Sequence, residues 1–434
     1  MLEAIGFGIL GLWSALFAHP TQQTETLQLV SWHEAKIFEI PTEEFDPVVQ
    51  NLVDRYLDNL ARQGIKRDRQ SVWLQSDWTE LANTQGTKPV SAASLTKIAT
   101  TLAALEKLEV DYQFITKISH TGSIEAGVLQ GDLIVEGGGD PFFVWEEAIA
   151  LSNALNQLGI REITGNLLIS DRFYMNYESE PMVAGKLLER ALEPELWTVE
   201  IKEQFKTLPL TTPRPQLKIA GEVKTIKYLP DKPKLLILHK SLPLVEILQQ
   251  MNIYSNNKIA QILAESVGGA AAVADSAIAK TGVDPSEIQL INGSGLGVEN
   301  RISPRAATRM LMAIDELLQP HQLEVSAIFP VGGLDNVGTL KDRQLPQGIA
   351  VKTGTLDRVS ALAGVIPLEN DRRIWFAIVN HGWQIPQFRQ EQDKLLQSLA
   401  SHWQLTSQDR GRLSRSNRVY LGDPDRNQIR VQVP

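Results

Sequence analysis

The sequence predicts an α+β protein in which a β-rich segment interrupts the main folding unit. Three observations carry that reading. Apolar residues recur at helical spacing on either side of the interruption. Short runs rich in β-branched and aromatic residues stand near those helices as buried strands. From about residue 115 to 236 the texture shifts to brief β-like runs separated by Gly- and Pro-rich turns. At 434 residues the chain is long enough for two or three units. Residues 30–114 and 237–434 are expected to form one discontinuous unit, and 115–236 an inserted accessory region.

The first residues, Met1 to Ala18, form an apolar run of signal-peptide length, within a segment of about 1–25 read as a signal or anchor. The run is too short for a comfortable membrane span. Its leading residues carry Glu3 and no Lys or Arg. The segment predicts a periplasmic or exported protein whose membrane contact is confined to it.

Residues 46–64 read as a helix. Asp46 can cap it, Pro47 suits the first helical position and Gly64 suits the stop. Val49, Leu52, Val53, Tyr56, Leu57 and Leu60 make its apolar face. Ser71–Gln75 reads as a strand, with a second short one near Thr79–Ala82. A helix headed by Ser94 follows, with Leu95, Ile98, Leu102, Leu105 and Leu108 on one stripe. In the interrupting region 131–136, 165–170 and 216–220 read as strands and 144–158 as a helix. Pro-rich stretches at 209–215 and 230–233 suggest boundaries. Helices return at 244–251, 257–267 and 303–317, and 349–351 and 374–379 read as buried strands. The tail from Asp409 carries six arginines against three aspartates and reads as a solvated terminal strand or loop.

Composition excludes several function classes. The formal net charge is −9 and there is no long Lys/Arg run, so the chain lacks the basic footprint of a nucleic-acid binder. An anionic polymer is disfavoured as a bulk electrostatic partner for the same reason. The absence of cysteine rules out disulfides, thiolate metal sites and cysteine nucleophiles together. Seven histidines never adopt a metal-binding spacing, so no metal and no cofactor is expected.

Three short motifs carry the chemistry: Ser94-Leu-Thr-Lys97, Ser255-Asn-Asn257 and Lys352-Thr-Gly354. Residues i and i+3 of a helix share a face, so Ser94 and Lys97 can meet. Burial and a helix N-terminus both lower an amine's pKa, as a lysine general base requires. A neutral Lys97 could take the proton of Ser94 as it attacks a carbonyl. Ser255 could relay a proton between Lys97 and the leaving amine, and Asn257 could hold Lys97 and bond a substrate amide. Lys352 ends an apolar strand run, and such a strand can bind an extended peptide by β-addition. Gly354 would let that peptide's backbone come close. Lys352 and Thr353 could hold a free carboxylate, while the N–H groups of Ser94 and Thr355 could form an oxyanion hole. Each motif alone also fits an ordinary cap or strand lysine, and Ser-x-x-Lys recurs at Ser255–Lys258. The set in this order is what is specific.

The set resembles the class C, low-molecular-mass penicillin-binding proteins, the type-4 D-alanyl-D-alanine carboxypeptidases/endopeptidases of peptidase family S13. Family-like phrases extend beyond the motifs: Ala93-Ser-Leu-Thr-Lys97, Val135-Glu-Gly-Gly-Gly-Asp-Pro141, Asn292-Gly-Ser-Gly-Leu296, Gly338-Thr-Leu340 and Lys352-Thr-Gly-Thr-Leu356. The resemblance covers nearly everything after residue 45. It implies the penicillin-binding/β-lactamase-like transpeptidase fold: an antiparallel sheet flanked by helices, an all-helical part, and the β-rich insertion. It also implies a serine enzyme acting on peptidoglycan stem peptides, acylated at Ser94 with Lys97 as base, and inhibited covalently by β-lactams. Ser255 and Asn257 would line the cleft, with Lys352, Thr353, Gly354 and Thr355 on its edge strand. Two departures stand out: Ala92-Ala93 replaces a frequent proline, and Asn256 sits where an acidic residue is common.

Other readings fit less well. A Ser-His-Asp hydrolase needs Gly-x-Ser-x-Gly, but Asn292 occupies the first glycine position around Ser294. A nucleotide-binding loop at Gly293–Gly297 lacks the required glycine register. A catalytically silent cell-wall-binding scaffold would not need Ser94, Lys97 and Lys352 together. A β-lactamase-like hydrolase would have its first two motifs much closer.

Overall fold

The computed structural model describes residues 46–77, 79–369, 371–405 and 420–430. The N-terminal apolar segment and most of the basic tail lie outside these residues. A five-stranded antiparallel sheet organises the motif-bearing part, in the order Ala350–Leu356, Val359–Pro367, Arg373–His381, Gln70–Gln75, Glu80–Thr84. Side chains alternate between its faces. Val351, Leu362, Phe376 and Ile378 enter one core with the helices Pro47–Arg62 and Ile385–His402. Ala350, Ala361, Ala363 and Ala377 enter the other, against the helical part. Alanines on that face let Pro304–Leu318 and the turn before Thr96–Leu108 pack close to the sheet.

The first helix begins as its sequence signals require. Asp46 accepts a hydrogen bond from the Val48 N–H at 2.9 Å and Pro47 follows. The second expected strand is Glu80–Thr84 rather than Thr79–Ala82, paired with Gln70–Gln75 through an irregular register. The strand near 349–351 extends to Leu356, and that near 374–379 spans Arg373–His381. Between them Val359–Pro367 forms a strand that sequence reading passed over. Its Ala and Gly content lowers intrinsic β-propensity, and burial on both faces overrides it.

The middle region carries its own core, from Ile118 to Ile237. One sheet runs Val223–Ile226, Leu167–Ser170, Leu133–Glu136, Ile115–His120, Lys234–Lys240, Asn427–Ile429. A second, four-stranded sheet includes Lys218–Ile219. The helix expected at 144–158 is Trp145–Gln157, and two further helices, Pro181–Leu192 and Val199–Thr207, lie in the same region. The sequence boundary at 236/237 falls inside the strand Lys234–Lys240. Residues 427–429 of the tail pair with that strand, so they belong to the middle sheet rather than to solvent. Arg426 secures this return by an ion pair with buried Glu147.

The loop ahead of the edge strand is tied to the last long helix by Arg343. Its Nε donates to both Asp393 oxygens at 2.9 and 3.2 Å, with both side chains almost wholly buried. Removing one partner of such a pair strands the other charge. Arg343→Ala is expected to cost about 3–5 kcal/mol in urea unfolding. Arg67→Ala, which breaks an exposed pair with Asp54 and Asp58, should cost under about 1 kcal/mol.

Candidate active site

Ser94 lies in a single 3-10 turn, Ala93–Leu95, and the α-helix proper starts at Thr96. Its hydroxyl does not cap the helix. It lies 3.0 Å from the Lys97 amine, one turn further on. Ala93 holds a left-handed φ of 47°, which costs energy for a residue with a Cβ and turns Ser94 outward. Ser94 is half-buried, whereas Lys97 is fully buried.

Lys97 has three polar neighbours. Besides Ser94 Oγ, its Nζ donates to Asn257 Oδ1 and to the Ser294 carbonyl, both at 2.7 Å. Burial pushes its pKa down to about 7. Ser294 belongs to the Asn292–Leu296 loop, whose shape is set by Asn292 Oδ1 accepting from the N–H groups of Ser294 and Gly295. Gly295 has φ 82°, and a Cβ there would stand 1.9 Å from the Ala93 carbonyl. Glycine alone lets this loop reach the Ala93–Leu95 turn.

The second motif sits at a break between two helices. Ser255 ends Leu244–Tyr254 in a left-handed conformation, φ 51°. Asn256 caps Asn257–Ser266, its side chain accepting from the N–H groups of Lys258 and Ile259. The break leaves Ser255 and Asn257 free to face two different lysines. Asn257 meets Lys97, and Ser255 Oγ accepts from Lys352 Nζ at 3.1 Å. Ser255 is thus in contact with Lys352, whereas Asn257 is the residue of this motif in contact with Lys97.

Lys352, Thr353, Gly354 and Thr355 lie on the sheet's edge strand. Lys352 is fully buried, and its Nζ also donates to the Thr353 carbonyl at 3.0 Å. Burial, then the nearby Lys97, holds its amine well below the usual lysine range. Neither lysine has a carboxylate partner among the described residues. Gly354 has a role other than the one expected. A Cβ there would lie 2.9 Å from the Ala92 carbonyl and 3.1 Å from the Ser94 nitrogen. The space glycine leaves is filled by the Ala92–Ser94 turn. Thr355 is exposed, and its hydroxyl accepts from Arg389 at 2.9 Å. All eight expected residues therefore fall on three adjoining segments, with Ser94 where these segments meet.

Sequence reading missed two contributors. The Ser294 carbonyl was invisible because backbone atoms leave no residue-type signal, although its Gly-flanked loop stood out. Arg389 lies on a helix without any motif. Among the described residues, no three His, Asp or Glu side chains converge on a metal site.

Comparison with known proteins gives the family and the fold. The profile of the D-Ala-D-Ala carboxypeptidase 3 (S13) family matches residues 57–184 and 214–402. The chain is 23% identical to the D-alanyl-D-alanine carboxypeptidase DacB of Haemophilus influenzae, over 70% of this chain and 83% of that one. It is 32% identical to a D-alanyl-D-alanine carboxypeptidase of Actinomadura, over 38% and 33% of the two chains. Among solved structures, a predatory peptidoglycan endopeptidase of Bdellovibrio bacteriovorus superposes with TM-score 0.64 at 22% identity, covering 78% of this chain and 92% of that one. Penicillin-binding protein 4 of Haemophilus influenzae superposes with TM-score 0.61 at 19% identity, covering 80% and 98%. With the family profile spanning well over half of its length and the fold shared with these structures, the chain belongs to the D-Ala-D-Ala carboxypeptidase 3 (S13) family of serine peptidases.

Proposed function

We propose that the chain cleaves D-Ala-D-Ala-type peptide bonds of peptidoglycan, as a carboxypeptidase and as an endopeptidase, through an acyl-enzyme on Ser94. The observation that carries this reading is the set of contacts around Lys97. Two of its three neighbours, Asn257 Oδ1 and the Ser294 carbonyl, can only accept hydrogen bonds. A neutral amine has two N–H groups for them and one lone pair left. That lone pair then faces Ser94, whose O–H can donate to it. The deprotonated form of Lys97 therefore satisfies every contact while holding the nucleophile's proton, and a pKa near 7 makes that form accessible.

Attack of Ser94 Oγ on the scissile carbonyl passes its proton to Lys97, and the leaving amine takes a proton back as the acyl-enzyme forms. Ser255, in contact with Lys352, is placed to assist that second transfer. The N–H groups of Ser94 and Thr355 would hold the oxyanion, supported by the packing of the Gly354 backbone against the Ser94 amide. A substrate extended along the edge strand would set its terminal carboxylate by Lys352 and Thr353. The buried Lys352 amine has no acid partner among the described residues, and an anion beside it stabilises its charged form. The substrate lies outside the cytoplasmic membrane, so we place the enzyme in the periplasm or otherwise exported. β-Lactams, as carbonyl compounds with a carboxylate, would acylate the same serine.

Intact-mass analysis with a labelled penicillin should find one adduct, and Ser94→Ala should abolish it. An adduct that persists in Ser94→Ala would remove this serine from the mechanism. The acylation rate should rise with pH through a midpoint of about 7, because Lys97 is protonated and unable to accept below that value. Lys97→Arg should remove both the activity and the rising limb. Gly354→Val should push the strand off the nucleophile turn and slow acylation by at least about a hundredfold, read by stopped-flow or gel labelling.

A further inference from the structure

A second cleft, of about 450 Å³ and lined by several cations, lies beyond the end of the edge strand. Its floor includes Ser91 and His381, and its rim carries Arg69, Lys88, Arg301 and Arg358. Ser91 and Arg301 are direct register partners in a small sheet, so hydroxyl and guanidinium arise side by side. Ser91 is 6% exposed, and its Oγ has no hydrogen-bond partner. The Nε2 of His381 is likewise buried and unpartnered. Two orphan polar atoms at one floor are costly unless something fills the space above them.

The charge balance indicates what that is. Four cations line the cleft against one carboxylate, Asp68, in a protein whose formal net charge is −9. None of the four forms an ion pair among the described residues. The Lys88 amine donates to the neutral Gln85 side chain, at 3.1 Å. Arg358 stacks over the exposed Trp383 ring at 3.8 Å from its centroid, which fixes the plane of its fork at the cleft mouth. Arg301, Lys88 and Arg69 all lie close enough to His381 to disfavour its protonation, after burial itself. Their fields therefore overlap in one small volume.

We propose that this cleft is a binding site for a phosphate-bearing ligand. A phosphate group brings about −1.5 to −2 charges and several strong acceptor oxygens, whereas a lone carboxylate would leave most of the cation surplus unmatched. Planar guanidinium forks suit its oxygens in pairs. The hydroxyl of Ser91 would donate from below. This assignment is independent of the role given to Ser94.

Titration calorimetry of the full chain with inorganic pyrophosphate at low ionic strength tests it, with citrate as an anion of comparable charge. Pyrophosphate should bind, more weakly at high salt, and Arg301→Gln should weaken it by at least about tenfold. Ser91→Ala should weaken it too, with penicillin acylation unchanged in both variants. A glycerol-phosphate oligomer separates sources: tighter binding than pyrophosphate assigns polymer-borne phosphate, and weaker binding assigns a free one. Absence of binding, or equal affinity for citrate, would overturn the proposal. So would binding that survives Arg301→Gln but disappears in Lys352→Ala, because the anion would then occupy the catalytic crevice.

Discussion

The buried amine of Lys97 is the constraint on which the rest of the site depends. A fully buried lysine is expensive to keep charged, and its pKa falls accordingly. Two backbone and amide oxygens converge on it from parts of the chain far apart in sequence. Those contacts fix where the nitrogen sits, and the nitrogen in turn fixes the Ser94 hydroxyl. Without them a lysine at this helix start would reach for solvent.

Much of the surrounding architecture serves to bring backbone close to that one turn. Ala93 and Ser255 accept left-handed conformations that side chains ordinarily avoid. Gly295 and Gly354 remove the atoms that would hold the Asn292–Leu296 loop and the edge strand away from it. Alanines on one face of the sheet do the same for the helical part. The second lysine, Lys352, enters from the strand side; burial lowers the pKa of both amines, and the nearby Lys97 lowers that of Lys352 further. Two such amines beside an open hydroxyl make a crevice suited to a carbonyl compound that carries a carboxylate.

The middle region and the tail are linked by long-range pairing. Asn427–Ile429 closes one edge of the middle sheet and Arg426 inserts toward Glu147, so segments nearly three hundred residues apart share one buried ion pair. The cationic cleft is likewise a product of assembly: its four cations come from separate segments, none notable alone. An acidic chain can still present a local cationic surface.

The sequence by itself named the candidates for the reactive groups. Ser94, Lys97, Ser255, Asn257 and Lys352 stood out because three motifs in this order resemble those of a known family, although each alone also fits an ordinary cap or strand lysine. The first helix was legible because its cap, proline and apolar stripe act locally. Tertiary structure alone decided the rest. It set Ser255 against Lys352, supplied the Ser294 carbonyl, turned Gly354 toward the Ser94 turn, and made an interior strand of Val359–Pro367 despite its Ala and Gly. The physical reason is that these outcomes depend on atoms common to every residue, or on space left empty. Neither has a period or a composition that one stretch of chain can show.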